Sequence, residues 1–224
     1  RIGQEIVDTV QKYGGFMTIE DLENFEAEWM TPISTDYRGY TVVTNSPPST
    51  GIQVLQTLNI LEGYDLAEMG HGSADYLHVF MEAVNLAATD RNEYVGDPDF
   101  VDIPMDMLLS KEMAAERREL INMEEATTQY PPSWQEGTTH LATADQWGNV
   151  VAITQTLANG WGSAIVAGNT GMILNNAYAY ANLDPEHPGV VGADRRQAWC
   201  LSPMMIFDAN DEFWASVGTP GGET

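Results

Sequence analysis

Cysteine occurs once, at Cys200, so no disulfide can close within the chain and the redox compartment is left open. Positive charge is scarce too: 9 Lys and Arg stand against 33 Asp and Glu, a formal net charge of −24. Phosphate backbones are held by clustered Arg and Lys, so the composition argues against a nucleic-acid partner. An acid excess of this size keeps a protein soluble in high salt, where self-repulsion is screened; a halophilic or marine source and an ordinary acidic protein both fit it. No apolar run approaches the roughly 20 residues of a membrane helix, and Arg1-Ile2-Gly3-Gln4-Glu5 has nothing of a signal peptide. The 4 histidines, His71, His78, His140 and His187, include no pair at metal-ligand spacing, so neither a metal nor another cofactor is expected.

What is present suffices for a folded protein: 224 residues, 43% of them hydrophobic, bury a core in one or two domains. The chain starts without Met and stops inside the glycine turn Gly218-Thr219-Pro220-Gly221-Gly222, so a fragment of a longer protein is expected. Ile2, Ile6, Val7 and Val10 lie at helical spacing, and Thr18-Ile19-Glu20-Asp21 has the form of a capping box. A strand is expected over Tyr37–Thr44, then helices from Gly51 to Gly63, from Ser73 to about Arg91, and after Ser110. Residues 122–137 read as an exposed, mobile polar loop and 181–198 as a second loop. A strand-like run at Ala164-Ile165-Val166 and strands at Met204–Phe207 and Phe213–Val217 complete a pattern of helices first and strands second. That pattern favours a mixed fold with an antiparallel sheet packed by helices.

One stretch invites chemistry. After Gly137, the residues Thr138 to Ala144 alternate small and hydroxyl side chains, Gly148-Asn149 makes a turn, and Val150 to Thr156 follow as a second strand, so a β-hairpin is expected with Thr138 at its head. A threonine hydroxyl is a weak nucleophile that needs a base, and an N-terminal threonine carries one in its own α-amine. Cleavage of Gly137–Thr138 would free that amine, and glycine before it removes steric obstruction to attack on its own upstream carbonyl. Against this stands the plain reading of Thr138 as a structural strand residue.

Many further motifs bear on the choice. Gly15-Phe16-Met17-Thr18-Ile19-Glu20-Asp21-Leu22, Pro47-Pro48-Ser49-Thr50-Gly51, Ala88-Thr89-Asp90-Arg91, Gly96-Asp97-Pro98-Asp99-Phe100, Thr138-Thr139-His140, Leu174-Asn175-Asn176, Ser202-Pro203 and Pro220-Gly221-Gly222 occur in the order of one family. The chain resembles the gamma-glutamyltranspeptidase family of N-terminal nucleophile hydrolases over nearly all its length. The resemblance implies an α+β fold, the four-layered α/β/β/α sandwich. It also implies self-cleavage into residues 1–137, the end of a large subunit, and 138–224, the start of a small one, which stay together as one domain of the uncut precursor. Thr138 then matches the nucleophile, Thr156 its hydrogen-bonding partner, and Gly221 and Gly222 the backbone donors of the oxyanion hole. A periplasmic or extracellular setting, and a small-molecule amide as substrate, belong to the same implication.

The substrate pocket departs from the family pattern. The amide and carboxylate that receive the α-ammonium of a γ-glutamyl group are replaced by Ala177 and Tyr180, and the two serines for its α-carboxylate by Trp199 and Cys200. The expected asparagine after Thr156-Leu157 is Ala158, with Asn159 next. A site stripped of these polar partners points to another acyl group, so an amidase like oxamate amidohydrolase or a cephalosporin acylase is the alternative, and a non-catalytic acidic binding domain a third. His140 is expected to stay outside catalysis because the α-amine already supplies the base. Arg195 and Arg196 are expected to form salt bridges.

Overall fold

A computed structural model describes residues 1–127 and 136–220. In chain order the elements are α1 (Ile2–Lys12), α2 (Ile19–Glu23), β1 (Ile33–Tyr37), β2 (Tyr40–Thr44), α3 (Gly51–Leu61), α4 (Leu66–Met69), α5 (Ala74–Tyr94), α6 (Met105–Leu108), α7 (Lys111–Glu119), β3 (Glu136–Ala144), β4 (Val150–Asn159), a 3-10 turn (Ala177–Tyr180), β5 (Met204–Phe207) and β6 (Phe213–Val217). The fold is mixed α+β with antiparallel sheets. One sheet has the order β1-β2-β5-β6, and β3 and β4 pair separately.

The expected single strand over Tyr37–Thr44 is instead the turn and second arm of a hairpin. Arg38 and Gly39 both take left-handed backbone, φ 54° and 84°, the geometry of a tight two-residue turn, and Tyr37 faces Tyr40. Partners outside the hairpin hold Arg38 there: its backbone N–H donates to Glu62 and its guanidinium to the Tyr64 carbonyl. Ala164–Val166 is not a strand either; Val166 makes only an isolated bridge to Ile173. The Thr18 capping box forms as expected, with Thr18 and Asp21 each accepting from the other's backbone N–H.

The helical core sits around α3, whose Ile52, Leu55 and Ile60 are 0–1% exposed. Each such side chain contributes about 1.5–3 kcal/mol on leaving water. Ile60 and Leu61 pack with Val79 and Ala83 of α5, while Ile52 packs with Val95, Leu108 and Met113. A buried ion pair fixes α7 on α5: Arg117 clamps Asp90 through Nε and Nη2 at 2.7–3.2 Å. A second joins the turn after α5 to the loop before β5. Arg196 donates to Asp97 from its backbone N–H at 2.6 Å and from Nη2 at 2.7 Å, and reaches Asp99 and Glu28 as well, so the expected salt bridge of Arg196 is present. Burial pushes the Asp97 carboxyl up, but the Arg196 side chain and backbone, with the Asp99 N–H, hold it below its ordinary value. Arg195 instead stacks its guanidinium on the Phe100 ring, 4.6 Å from the centroid.

Candidate active site

The register of the β3–β4 hairpin is set at its turn. Asp145 accepts from the backbone N–H groups of Trp147 and Asn149 and from the Asn149 amide, and Gly148 takes φ 87°. The Asn149 amide first, then these backbone donors, hold the Asp145 carboxyl below its usual range. From that turn the pairing runs back without a slip to Thr138 opposite Thr156. Sequence spacing thus places two hydroxyls face to face, and the Thr138 hydroxyl donates to Thr156 Oγ1 at 3.0 Å.

Thr138 is not at the head of its strand, as expected from sequence, but inside it. β3 begins at Glu136, which pairs with Asn159, and the ladder shifts between Glu136 and Thr138. The Gly137–Thr138 bond therefore lies at a strand irregularity, the kind of place where a bulge re-aims backbone. Residues 128–135 of the expected loop lie outside the described residues.

Thr156 is held from its other side. Its Oγ1 also accepts the Ala158 N–H at 2.9 Å, and Ala158 is 2% exposed with φ 74°. Left-handed backbone at a non-glycine residue costs about 1–2 kcal/mol. The strain lies directly beside the hydroxyl pair, at the position where the sequence already departs from the family pattern.

The five predicted pocket residues are linked in turn. Asn159 donates its backbone N–H to the Asn176 side chain at 3.0 Å, and the Asn176 N–H returns to the Leu157 carbonyl at 3.1 Å. These two bonds dock the Ala177–Tyr180 turn beside the end of β4. Ala177 is buried, and the Tyr180 ring lies 6.4 Å from that of Trp199. Trp199 is held by backbone bonds to Pro48 and Thr50, and Cys200 is half-buried next to it. Gly221 and Gly222 lie outside the described residues.

Beside Tyr180 is a cavity of about 220 Å³ whose lining includes Thr50, Arg91, Asn182, His187 and Gln197 and, among the described residues, no Asp or Glu. Sequence reasoning missed it, because it joins α5 to the 181–198 loop across the fold. The close approach that shapes it has a sequence trace in Gly96, where a Cβ would meet the Pro188 carbonyl at 2.2 Å. Among the described residues no group of three His, Cys, Asp or Glu side chains could hold a metal, and no helix is long and apolar enough to cross a membrane.

The family model described as gamma-glutamyltranspeptidase matches residues 1–224. A glutathione hydrolase proenzyme of Escherichia coli is 38% identical across 99% of this chain and 41% of its own length. An acylase ACY 1 proenzyme of a Pseudomonas species is 39% identical across 99% of this chain and 40% of its own. The crystal structure of cephalosporin acylase from Bacillus halodurans superposes with a TM-score of 0.84 at 34% identity, covering 96% of this chain and 39% of that one. The chain thus spans about two-fifths of the length of the relatives it matches.

Proposed function

The chain belongs to the gamma-glutamyltranspeptidase family, and from that premise we propose that it carries the nucleophile of a self-processing N-terminal threonine amidohydrolase or acyltransferase. The observation that carries the reading is the Thr138–Thr156 hydroxyl pair at 3.0 Å beside a strand irregularity. In the uncut chain, Thr138 Oγ1 attacks the carbonyl carbon of Gly137. The Gly137–Thr138 C–N bond breaks, a C–O ester forms, and the hydroxyl proton passes to the departing nitrogen. Water then hydrolyses the ester and leaves Thr138 with a free α-amine, dividing residues 1–137 from 138–224.

That amine serves as the base for turnover. It takes the Oγ1 proton as the oxygen adds to a substrate amide, and returns it to the leaving amine as the acyl-threonine forms. Thr156 accepts the hydrogen bond that orients Oγ1, and the backbone N–H groups of Gly221 and Gly222 are the expected oxyanion donors. Water or an acceptor amine releases the acyl group. The whole protein, in this reading, completes a four-layered α/β/β/α sandwich, and the two fragments remain each other's partners.

A second reading, an amidase for a non-γ-glutamyl acyl group, is favoured by one observation. Among the described residues, Ala177, the Tyr180–Trp199 pair and the lining of the cavity beside Tyr180 offer no carboxylate to an α-ammonium. Mass analysis of the full-length protein tests the chemistry: the wild type is expected as two fragments parted before Thr138, and Thr138→Ala as one. An intact wild-type chain would overturn it. A panel of γ-glutamyl, glutaryl and small amides then separates the two substrate readings, since efficient γ-glutamyl transfer would eliminate the second.

A further inference from the structure

The cavity beside Tyr180 joins the end of α5 to the loop after the 3-10 turn, and Tyr180 alone of its described lining is a position that the family resemblance marks for substrate. Bonds already made decide what this lining offers a ligand. His187 Nδ1 accepts the Gly189 N–H at 2.9 Å, so Nδ1 is the acceptor nitrogen and the ring proton sits on Nε2. Nε2 is buried and has no hydrogen-bond partner among the described residues. Asn182 Oδ1 accepts the Asp184 N–H at 2.9 Å, which leaves the Nδ2 group as the donor of that amide. In both side chains the loop's own backbone has taken the acceptor and left a donor. A buried donor without an acceptor is destabilising, and a ligand that brings the acceptor removes that cost.

Charge points the same way. Although the protein has 33 Asp and Glu, Arg91 is the only Lys, Arg, Asp or Glu among the described lining residues. Its Nη1 donates to Gln53 Oε1 at 2.9 Å, which orients the guanidinium, and the group keeps its charge whatever else it bonds. Val95, Ala179 and Ala198 add apolar wall. One positive charge suits a monoanion rather than a dianion, and the apolar wall suits a short carbon body. A volume of about 220 Å³ equals about seven waters at roughly 30 Å³ each, room for an acid of about four carbons. We propose that this cavity is a binding site for a small carboxylate, held by the Arg91 charge and by the His187 Nε2 and Asn182 Nδ2 donors. Two sources share this chemistry: the acyl group of an amide substrate that itself ends in a carboxylate, and a free carboxylic acid that binds apart from the substrate. The first rests on the reading of Thr138 as nucleophile; binding as such does not.

Calorimetric titration of the full-length Thr138→Ala protein with butyrate, and with butyramide as its uncharged counterpart, tests the site apart from catalysis. Butyrate is expected to bind with a Kd of about 1 mM or below, and butyramide at least about tenfold more weakly, because hydrogen bonds to a charged group are the stronger ones. Arg91→Gln removes the charge, while His187→Asn keeps an acceptor for Gly189 and deletes the Nε2 donor. Each should weaken butyrate at least about tenfold. Equal binding of butyrate and butyramide, no butyrate binding at about 10 mM, or wild-type affinity in both variants would overturn the proposal. Should Arg91→Gln fail to fold, His187→Asn and the butyrate-butyramide comparison still decide the matter. Turnover of succinyl and butyryl p-nitroanilides by the wild-type background separates the sources. A rise in KM in Arg91→Gln confined to the succinyl substrate assigns the site to the acyl carboxylate. An effect of butyrate on both substrates that excess substrate does not relieve assigns it to a free acid. A wild type that turns over neither amide while butyrate still binds Thr138→Ala would overturn the amidase reading and leave the site standing.

Discussion

Thr156 is predicted to perform two separable tasks, and substitution can pull them apart. Its Oγ1 accepts from the Thr138 hydroxyl and from the buried Ala158 N–H. In a Thr138→Ala background the chain stays uncut and the first bond is already absent, so Thr156→Val there removes the acceptor for Ala158 without touching that bond. A buried N–H left unpaired costs about 1–3 kcal/mol, and Ala158 at 2% exposure has no route to water. Valine matches threonine in shape, which keeps a cavity term out of the comparison. Urea unfolding of Thr138→Ala with and without Thr156→Val should therefore differ by about 2 kcal/mol, while Thr156→Ser, which keeps the oxygen, should lose less than about 1 kcal/mol. With Thr138 intact, the same substitutions act on orientation of the nucleophile. Thr156→Val should slow the Gly137–Thr138 cut about tenfold or more, corresponding to about 1.4 kcal/mol, and Thr156→Ser by no more than about threefold. A Thr156→Val protein that cuts itself at the wild-type rate would refute the assignment of Thr156 as the partner of Thr138. Equal urea midpoints would refute the account of Ala158.

Two further outcomes follow from buried carboxylates. Asp97 is 3% exposed and its carboxyl is held below the ordinary value chiefly against burial by Arg196, so it contributes stability above its unfolded pKa and loses it as pH falls through the lower folded value. Acid unfolding of the wild type should show that loss below about pH 4, and Arg196→Ala, which strands Asp97, should cost roughly 3 kcal/mol at neutral pH with little left to lose in acid. Glu82, also 3% exposed, accepts from the Thr127 N–H at 2.9 Å and hydroxyl at 2.5 Å, and so tethers the chain ten residues before Gly137. Glu82→Leu should leave the unfolding free energy from urea titration within about 1 kcal/mol while slowing self-cleavage severalfold, measured by mass analysis against time; an unchanged cut would detach the tether from processing.

The hairpin was legible in the sequence because alternation, a Gly148-Asn149 turn and strand lengths are local quantities, and together they set Thr138 against Thr156. The capping box at Thr18 and the core helix α3 were legible for the same reason. The hairpin turn at Arg38-Gly39 was hidden because arginine in left-handed backbone has no propensity signal; Glu62 and Tyr64, far along the chain, supply the bonds that keep it there. The left-handed Ala158 was hidden likewise. Family resemblance could mark Ala177, Tyr180 and Trp199 as pocket positions, but the cavity that Tyr180 lines needs Arg91 and His187 from distant segments, and no local pattern joins those.

β3 carries one more consequence. Because Glu136 is still laddered to Asn159 upstream of the bond to be cut, severing Gly137–Thr138 does not by itself part the strand. The newborn amine would appear with the old chain end still lying against it, as a product that has not yet left. On the proposed reading the discarded stump would be the first inhibitor, and catalysis would begin with the peeling of a strand end rather than with the cut.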